Sequence, residues 1–174
     1  LDNSKTNERP VVIETTPNYN NMFGVIEKYS DGEGNWFTDF RNIKAGALLR
    51  ANGGFLIVKA IEAFSEPGVW AALKRVLLYG KLEINDNAIG FLSPSAMKPE
   101  PIELNTKIIM IGNNYIYSVL SEVEEDFNKI FKIKAEFDYE INRDDKLITE
   151  YVRVLKKLVT KQNLRDFEQD AVIK

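Results

Sequence analysis

The residues with the most chemical information stand at the end of one apolar segment. Four apolar residues, 55–58, follow a run of small and turn-forming residues, and Lys59 and Ala60 come directly after them. A continuous apolar run of this length is typical of a strand buried on both faces of a parallel α/β sheet. In such sheets, ligand binding and chemistry collect at the carboxyl ends of the strands. An acidic pair at this place would hold Mg²⁺ and orient water for phosphoryl transfer, and Lys59 and Ala60 supply neither acid.

The composition excludes several kinds of chemistry. The 174 residues include no cysteine and no histidine, which excludes disulfides, thiolate catalysis, the usual catalytic triads and most zinc sites. The net charge of −3 argues against nucleic-acid binding. No segment approaches the roughly 20 apolar residues of a membrane span, and the polar N-terminus is unlike a secretory signal. We therefore expect a cytoplasmic protein with no membrane partner, and we interpret a chain without an initial Met as a fragment of a longer one.

The pattern along the chain predicts an α/β core followed by helices. Residues 1–9 are polar and are expected to be disordered or a linker. Residues 10–143 contain buried strands that alternate with helices, which indicates an α/β domain. Residues 144–174 are helical in character and suit a separate small subdomain.

Hydrophobic periodicity places the individual elements. Strands are expected over the segments 10–14, 22–26, 55–58, 81–84, 107–111 and 137–141. Helices are expected over 44–50, from Ser65-Glu66-Pro67 to Gly80, over 115–123 and 126–131, and in a long amphipathic helix capped by Asp144 or Asp145. A hairpin with an irregular tip is expected between residues 85 and 103.

The order of these motifs resembles the second half of the AAA+ ATPase module of Lon-related ATP-dependent proteases. The motifs that carry the resemblance are Gly46-Ala47-x-x-Arg50-Ala51-x-Gly53-Gly54 before the apolar strand, Pro99-x-Pro101 in the hairpin, and Gly112-Asn113 after the strand 107–111. The resemblance covers roughly residues 10–174. It implies a partial P-loop NTPase sheet, from the Walker B strand to the sensor-1 strand, followed by the start of a helical lid subdomain.

The resemblance also assigns nucleotide-site positions to three residues. Lys59 takes the place of the Walker B acid, Ala60 takes that of the following Glu, and Asn113 takes that of the sensor-1 Asn. A lysine about 4 Å from Mg²⁺ would be repelled by roughly 8 kcal/mol at an effective dielectric constant near 20. The chain also contains no phosphate loop, and no Arg lies between residues 76 and 142 to act as an arginine finger. The simpler readings are that Lys59 is a solvated residue at a strand end and that Asn113 belongs to an ordinary turn.

For the remaining candidate residues, a structural role explains the sequence as well as a functional role does, or better. Arg50 is equally well explained as a surface cation and as a contact to a neighbouring subunit. Trp36, Phe37 and Phe40 are expected in the core rather than at a partner surface, because large aromatic side chains gain most from burial.

The resemblance implies a module of a Lon-related, ATP-dependent serine protease that handles polypeptide substrates for a Ser–Lys protease domain outside this chain. The parent protein would form a homo-oligomeric ring and could use ATP and Mg²⁺. The fragment itself is expected to be inactive and to hold neither nucleotide nor metal. Two alternatives stay open: a chaperone-type or regulatory AAA+ module without a protease, and a non-enzymatic α/β binding module that uses the 85–103 hairpin as its contact surface.

Overall fold

The computed structural model describes residues 8–30, 32–33, 35–84, 99–138 and 140–165. Nine strands occur within these residues: β1 (Val11–Glu14), β2 (Gly24–Ile26), β3 (Tyr29–Ser30), β4 (Trp36–Phe37), β5 (Ile43–Ala45), β6 (Phe55–Lys59), β7 (Lys81–Leu82), β8 (Ile102–Glu103) and β9 (Lys107–Ile111). The same residues contain seven α-helices and one 3₁₀ turn: α1 (Tyr19–Phe23), the 3₁₀ turn (Phe40–Asn42), α2 (Ala47–Arg50), α3 (Ala60–Ser65), α4 (Val69–Tyr79), α5 (Asn114–Val123), α6 (Phe127–Ile130) and α7 (Asp145–Gln162).

The chain divides into two compact units, Leu1–Lys132 and Ile133–Lys174. The first unit contains the nine strands and helices α1 to α6, and the second contains α7. Within the described residues, no helix is both long enough and apolar enough to cross a membrane.

A three-stranded parallel sheet organises the first unit. Its strand order is β1-β6-β9, so that β6 lies in the middle. In the register, Glu14 of β1 is opposite Val58, and Lys59 is opposite Ile111 of β9. Parallel neighbours need a crossover connection, and α3 and α4 lie in the connection between β6 and β9. The predicted α/β class with a parallel sheet is confirmed, and the strands predicted over 10–14, 55–58 and 107–111 form that sheet.

The described residues bury one face of this sheet more fully than the other. Leu56 and Val58 are buried in the core that helices α1 to α4 share. On the opposite face, Val11, Ile13 and Ile111 remain 60, 67 and 57% exposed. In β6 itself, Phe55 and Ile57 on that face are half-buried, so full burial of β6 on both faces is not found among the described residues. Side chains alternate between the two faces of a strand, and the helices of this unit pack on one of them.

Helix α4 supplies the longest apolar stripe of the core. Val69, Leu73 and Val76 are buried, and the helix ends where predicted, with the Gly80 N–H donating to the Val76 carbonyl at 2.8 Å. Its predicted start is wrong, because Ser65 is the last residue of α3. The Ser65 hydroxyl donates to a carbonyl of its own helix at 2.6 Å and does not cap the next helix.

Several other predicted boundaries differ from the structure. Residues 43–45 form β5, so the helix predicted over 44–50 is reduced to α2. In the segment predicted as a strand over 137–141, the described residues have no strand neighbour and form none, because a strand is stable only when it pairs. The pairing of β7 with β8 confirms the base of the predicted hairpin. The hairpin tip at 85–98 lies outside the described residues, as do residues 1–7 and 166–174.

In the second unit, α7 has a well-defined cap at each end. The carboxylate of Asp144 accepts the Leu147 backbone N–H at 2.6 Å, which confirms one of the two caps that the sequence allows. The helix ends at Asn163, whose φ of 52° is left-handed, a conformation that Asn tolerates better than most residues.

Candidate functional site

The carboxyl ends of β6 and β9 lie side by side in the first unit. Lys59 is the last residue of β6 and is opposite Ile111 of β9, so that Ala60 and Gly112 follow on neighbouring strands. Ala60 is buried, and a Cβ built on Gly112 would lie 3.4 Å from the Ala60 Cβ. The structure therefore places Lys59 and Ala60, at the end of β6, next to the turn that contains Asn113.

Lys59 forms an ion pair with the helix that comes after its own strand. Its Nζ is 2.9 Å from Oε1 of Glu62, one turn into α3, and the lysine side chain is 63% exposed. Exposed pairs at this spacing contribute only about 0.3–0.5 kcal/mol to stability. Glu62 does bring a carboxylate to this strand end, but Oε1 is bound to Lys59 and Oε2 is buried. Oε2 has no hydrogen-bond partner among the described residues, and a single carboxylate does not by itself form a metal site.

Asn113 is the N-cap of α5. Its Oδ1 accepts the backbone N–H of Ile116 at 2.9 Å, and its backbone carbonyl accepts the N–H of Tyr117 at 3.1 Å. Asn is among the residues that are favoured at this position, because its side-chain oxygen satisfies a backbone donor that the helix leaves unpaired. The cap uses the side-chain oxygen, whereas the side-chain NH₂ is the group that would donate to a phosphate oxygen.

The residues at this edge of the sheet do not fit Mg²⁺. This ion prefers carboxylate, phosphate and water oxygens in an octahedral arrangement. Lys59 is a cation, Ala60 has no donor atom, and the Asn113 oxygen already accepts a hydrogen bond. In the part of the chain that the structure describes, no group of three or more acidic side chains converges on a possible metal position.

An ion pair between Glu14 and Arg50 forms at the end of β1. Arg50 Nη2 lies 3.1 Å from Oε2 of Glu14, and the other oxygen of Glu14 accepts the Thr16 N–H at 3.0 Å. The Glu14 side chain is only 11% exposed, so this pair joins α2 to the sheet. The two residues are 36 positions apart, and no local sequence pattern indicates the contact.

A second candidate site is an exposed aromatic hairpin. We call residues 27–42 the aromatic arm; of these, 31 and 34 and the side chain of Trp36 lie outside the described part. Strands β3 and β4 pair with Tyr29 opposite Phe37, and the two ring centroids are 6.4 Å apart. Phe37 and Phe40 are 56 and 74% exposed, so the expectation that they lie in the core is wrong. In the sequence, two glycines at positions 32 and 34 between short aromatic segments are the signal that is typical of a loop or hairpin.

The base of the aromatic arm is fixed by the strands beneath it. β2 and β5 pair antiparallel and continue directly into the arm. The Glu27 N–H donates to the Asn42 carbonyl at 3.0 Å, and the Thr38 hydroxyl donates to the Glu27 carbonyl at 2.7 Å. The arm is thus a continuous extension of a ladder that packs on the core.

A charged turn positions Phe40 at the end of the arm. The Asp39 carboxylate accepts the Arg41 backbone N–H at 2.6 Å and the Arg41 Nη2 at 2.6 Å. The side-chain hydrogen bond from Arg41 is the main reason that the pKa of Asp39 lies below its ordinary value. Phe40 lies between these two residues, at the start of the 3₁₀ turn, and its side chain is 74% exposed.

Comparison with solved structures supports the fold. Two crystal structures of NtrX from Brucella abortus, one of them in complex with ADP, match 94% of this chain with TM-scores of 0.54 and 0.55. The sequence identities are 17 and 16%, so the likeness concerns the fold alone. The matched part spans only 35 and 33% of those NtrX chains.

Comparison with protein families gives the relationship. A search of curated proteins gave no match. The profile of the family described as LonB-like, AAA domain matches residues 7–138, which is well over half of the chain. The match includes the parallel sheet, both strand ends and the aromatic arm. The chain therefore belongs to the LonB-like AAA domain family and is an AAA+ domain related to Lon.

Proposed function

We propose that this chain is part of the AAA+ module of a Lon-related ATP-dependent serine protease, and that it contacts polypeptide substrates without hydrolysing ATP itself. In the cytoplasmic parent, the module would assemble into a homo-oligomeric ring and deliver polypeptide to a Ser–Lys protease domain outside this chain. Residues 10–143 would be the α/β core of the module and residues 144–174 the start of its lid. Membership of the LonB-like family supports the relation to Lon.

The exposed rings of the aromatic arm are the observation that supports binding of polypeptide substrates. Tyr29, Phe37 and Phe40 present apolar rings to solvent on a hairpin whose base is anchored to the core. A cluster of exposed apolar side chains on a soluble protein marks a contact site. Aromatic rings offer a large rigid contact area without requiring a particular partner sequence, which suits a site that meets many unfolded chains.

The strand ends support the second half of the proposal. If β6 is the Walker B strand and β9 the sensor-1 strand, Lys59 and Ala60 stand where a metal-binding acid and a catalytic glutamate are needed. Lys59 pairs with Glu62, and Asn113 caps α5. ATP and Mg²⁺ used by the parent protein would therefore be held by residues outside this chain.

Binding of an unfolded polypeptide tests the role of the arm. A fluorescently labelled, reduced and carboxymethylated α-lactalbumin is titrated with the chain, and anisotropy gives the dissociation constant. The double variant Phe37→Ser/Phe40→Ser is expected to bind about tenfold more weakly, since each exposed ring contributes roughly 0.5–1 kcal/mol. Tyr115→Ser is the matched control, because Tyr115 is 76% exposed on α5 and outside the arm. Equal binding by the double variant and the parent chain, or equal weakening by the control, would overturn the assignment.

Calorimetric titration with Mg·ATP tests the nucleotide part separately. We expect no heat of binding and no phosphate release from the 174-residue chain. A micromolar dissociation constant would refute the claim that the ends of β6 and β9 cannot support a nucleotide site.

A regulatory or chaperone-type AAA+ module without a protease is the second candidate, because the fold is shared with NtrX. The two candidates differ in the domain that is joined to the carboxyl end of the module in the native protein. Intact mass and terminal peptides of the native gene product distinguish them: a Ser–Lys domain after residue 174 supports the protease, and its absence supports the regulatory module. A native mass close to 19.9 kDa would instead favour a free-standing binding module.

A further inference from the structure

A cavity of about 320 Å³ opens between α1, α4 and β7 in the first unit. Its floor is apolar and buried, and is made by Phe23, Val76 and Leu82. The Tyr19 ring packs on Phe23 with the centroids 4.6 Å apart, and the exposed ring of Tyr79 stands at the mouth. None of these residues belongs to the strand ends of β6 and β9 or to the aromatic arm.

The mouth of the cavity carries an excess of positive charge. Arg75 and Lys81 are exposed there, and neither makes an ion pair with another residue in the described ranges. Glu83 also lines the mouth, so the two cations and one carboxylate there leave a local charge of +1. Because the whole chain has a net charge of −3, this local excess runs against the overall charge and favours an anionic partner.

The volume limits what the cavity can hold. Sites for small molecules and cofactors range from roughly 300 to 1,000 Å³, so this cavity is at the lower limit. It has room for one large apolar side chain and not for a nucleotide. A single anchor side chain in an apolar pocket with charged groups at its rim is a common mode of peptide recognition.

We propose that this cavity binds an acidic peptide segment of a partner protein, with one aromatic side chain on the floor formed by Phe23, Val76 and Leu82. A carboxylate next to that aromatic residue contacts Arg75 and Lys81 at the mouth. The cavity is a separate site from the aromatic arm. Binding to the arm, as proposed above, does not require the polypeptide to be charged.

Three blocked tripeptides test the two parts of this recognition. Acetylated and amidated Asp-Phe-Glu, Lys-Phe-Lys and Asp-Ala-Glu are titrated into the ¹⁵N-labelled chain, and amide chemical shifts are followed by NMR. Asp-Phe-Glu is expected to shift amides of α1, α4 and β7 with a dissociation constant of about 1 mM. The peptide with reversed charge and the peptide without a ring are each expected to bind at least about tenfold more weakly.

Two variants and a control locate the binding. Arg75→Glu is expected to weaken Asp-Phe-Glu about fivefold and to strengthen Lys-Phe-Lys, and its exposed position leaves the fold intact. Ala72→Leu fills the cavity from α4 and is expected to abolish binding of both ring-containing peptides. Lys107→Glu reverses an exposed cation that does not line the cavity, and it is expected to change nothing.

The outcomes that overturn the proposal are equally specific. Equal binding of the three peptides would show that neither ring nor charge is recognised. Shifts confined to residues outside α1, α4 and β7, or no shift at roughly 10 mM Asp-Phe-Glu, would show that the cavity is not the site. If Ala72→Leu fails to fold, as judged by circular dichroism, the affinities of Arg75→Glu and Lys107→Glu for Asp-Phe-Glu are compared instead. Equal affinities of these two variants would overturn the proposal.

Discussion

Replacing Gly54 by Ala tests why a run of small residues must precede β6. A Cβ on Gly54 would lie 2.0 Å from the carbonyl oxygen of Pro10 and 2.9 Å from its carbonyl carbon. Because Cβ atoms essentially never lie closer than 3.0 Å to another heavy atom, the two backbones must separate by about 1 Å. The obstructing atoms belong to the backbone of Pro10, so they cannot rotate away as the end of a flexible side chain would.

That separation falls at the start of the central sheet. The Pro10 carbonyl accepts the Phe55 N–H at 2.8 Å, and the Gly54 carbonyl accepts the Lys107 N–H at 3.0 Å. Both neighbours of β6 are therefore affected. Leaving one such backbone group unpaired costs roughly 1–3 kcal/mol, and the steric overlap adds about 1–3 kcal/mol. We expect Gly54→Ala to lower the free energy of unfolding by about 2–5 kcal/mol.

Gly53→Ala is the matched control for this prediction. Gly53 has a φ of +82°, and no atom lies within 4 Å of the Cβ it would gain, so only left-handed strain of about 1–2 kcal/mol is introduced. Urea unfolding followed by circular dichroism gives both free energies. We expect Gly54→Ala to be the less stable of the two. A Gly54→Ala variant as stable as Gly53→Ala would refute the argument from close backbone approach.

Two further predictions concern single side-chain contacts and use the same unfolding assay. Asn113→Ala removes the cap on Ile116 and is expected to destabilise by about 1 kcal/mol, whereas Asn113→Asp keeps the cap; equal losses in both would contradict the capping role. Lys74→Met removes the 2.6 Å hydrogen bond that is the main cause of the lowered pKa of Glu124. A lowered folded pKa adds stability above the ordinary value of 4.5, and that stability is lost as the pH falls through the folded pKa. The parent should therefore exceed Lys74→Met by about 1 kcal/mol at pH 7, and the gap should narrow at acid pH, where only the contact of Lys74 with the Trp70 ring is left; a gap unchanged by pH would contradict this.

The parts of the fold that the sequence predicted correctly are those set by local pattern. The apolar runs indicated the three parallel strands, and the capping preference of Asp144 indicated the start of α7. Whether both faces of β6 are buried could not be predicted in the same way. An apolar run reports the character of the side chains, whereas their exposure depends on which elements lie across each face. Here Leu56 is buried and Ile13 is exposed, although both belong to equally apolar strands.

The candidate site shows a similar division. The position of Lys59 at a strand end was predictable, but its pairing with Glu62 was not, because the helix α3 that brings them together was not recognised. The short segment 60–65 continues from its strand without a connecting turn, which left no signal for a helix start. The prediction that Phe37 and Phe40 lie in the core was wrong for another reason. Their exposure results from a short hairpin that extends beyond the core, and hydrophobicity alone predicts burial.

The residues that carry the family resemblance and those that would carry ATP hydrolysis are under different physical constraints. A Cβ on Gly46 would lie 2.4 Å from the Met22 carbonyl oxygen, and Gly54 is equally crowded, so these positions are fixed by packing whatever the domain does. Lys59 and Ala60 lie at the end of the strand, where no backbone approach dictates an acid. The AAA+ fold and its glycine motif therefore do not depend on which side chains stand at the strand ends. Membership of the LonB-like family therefore supports the architecture of this chain, whereas nucleotide hydrolysis depends on the side chains at the strand ends.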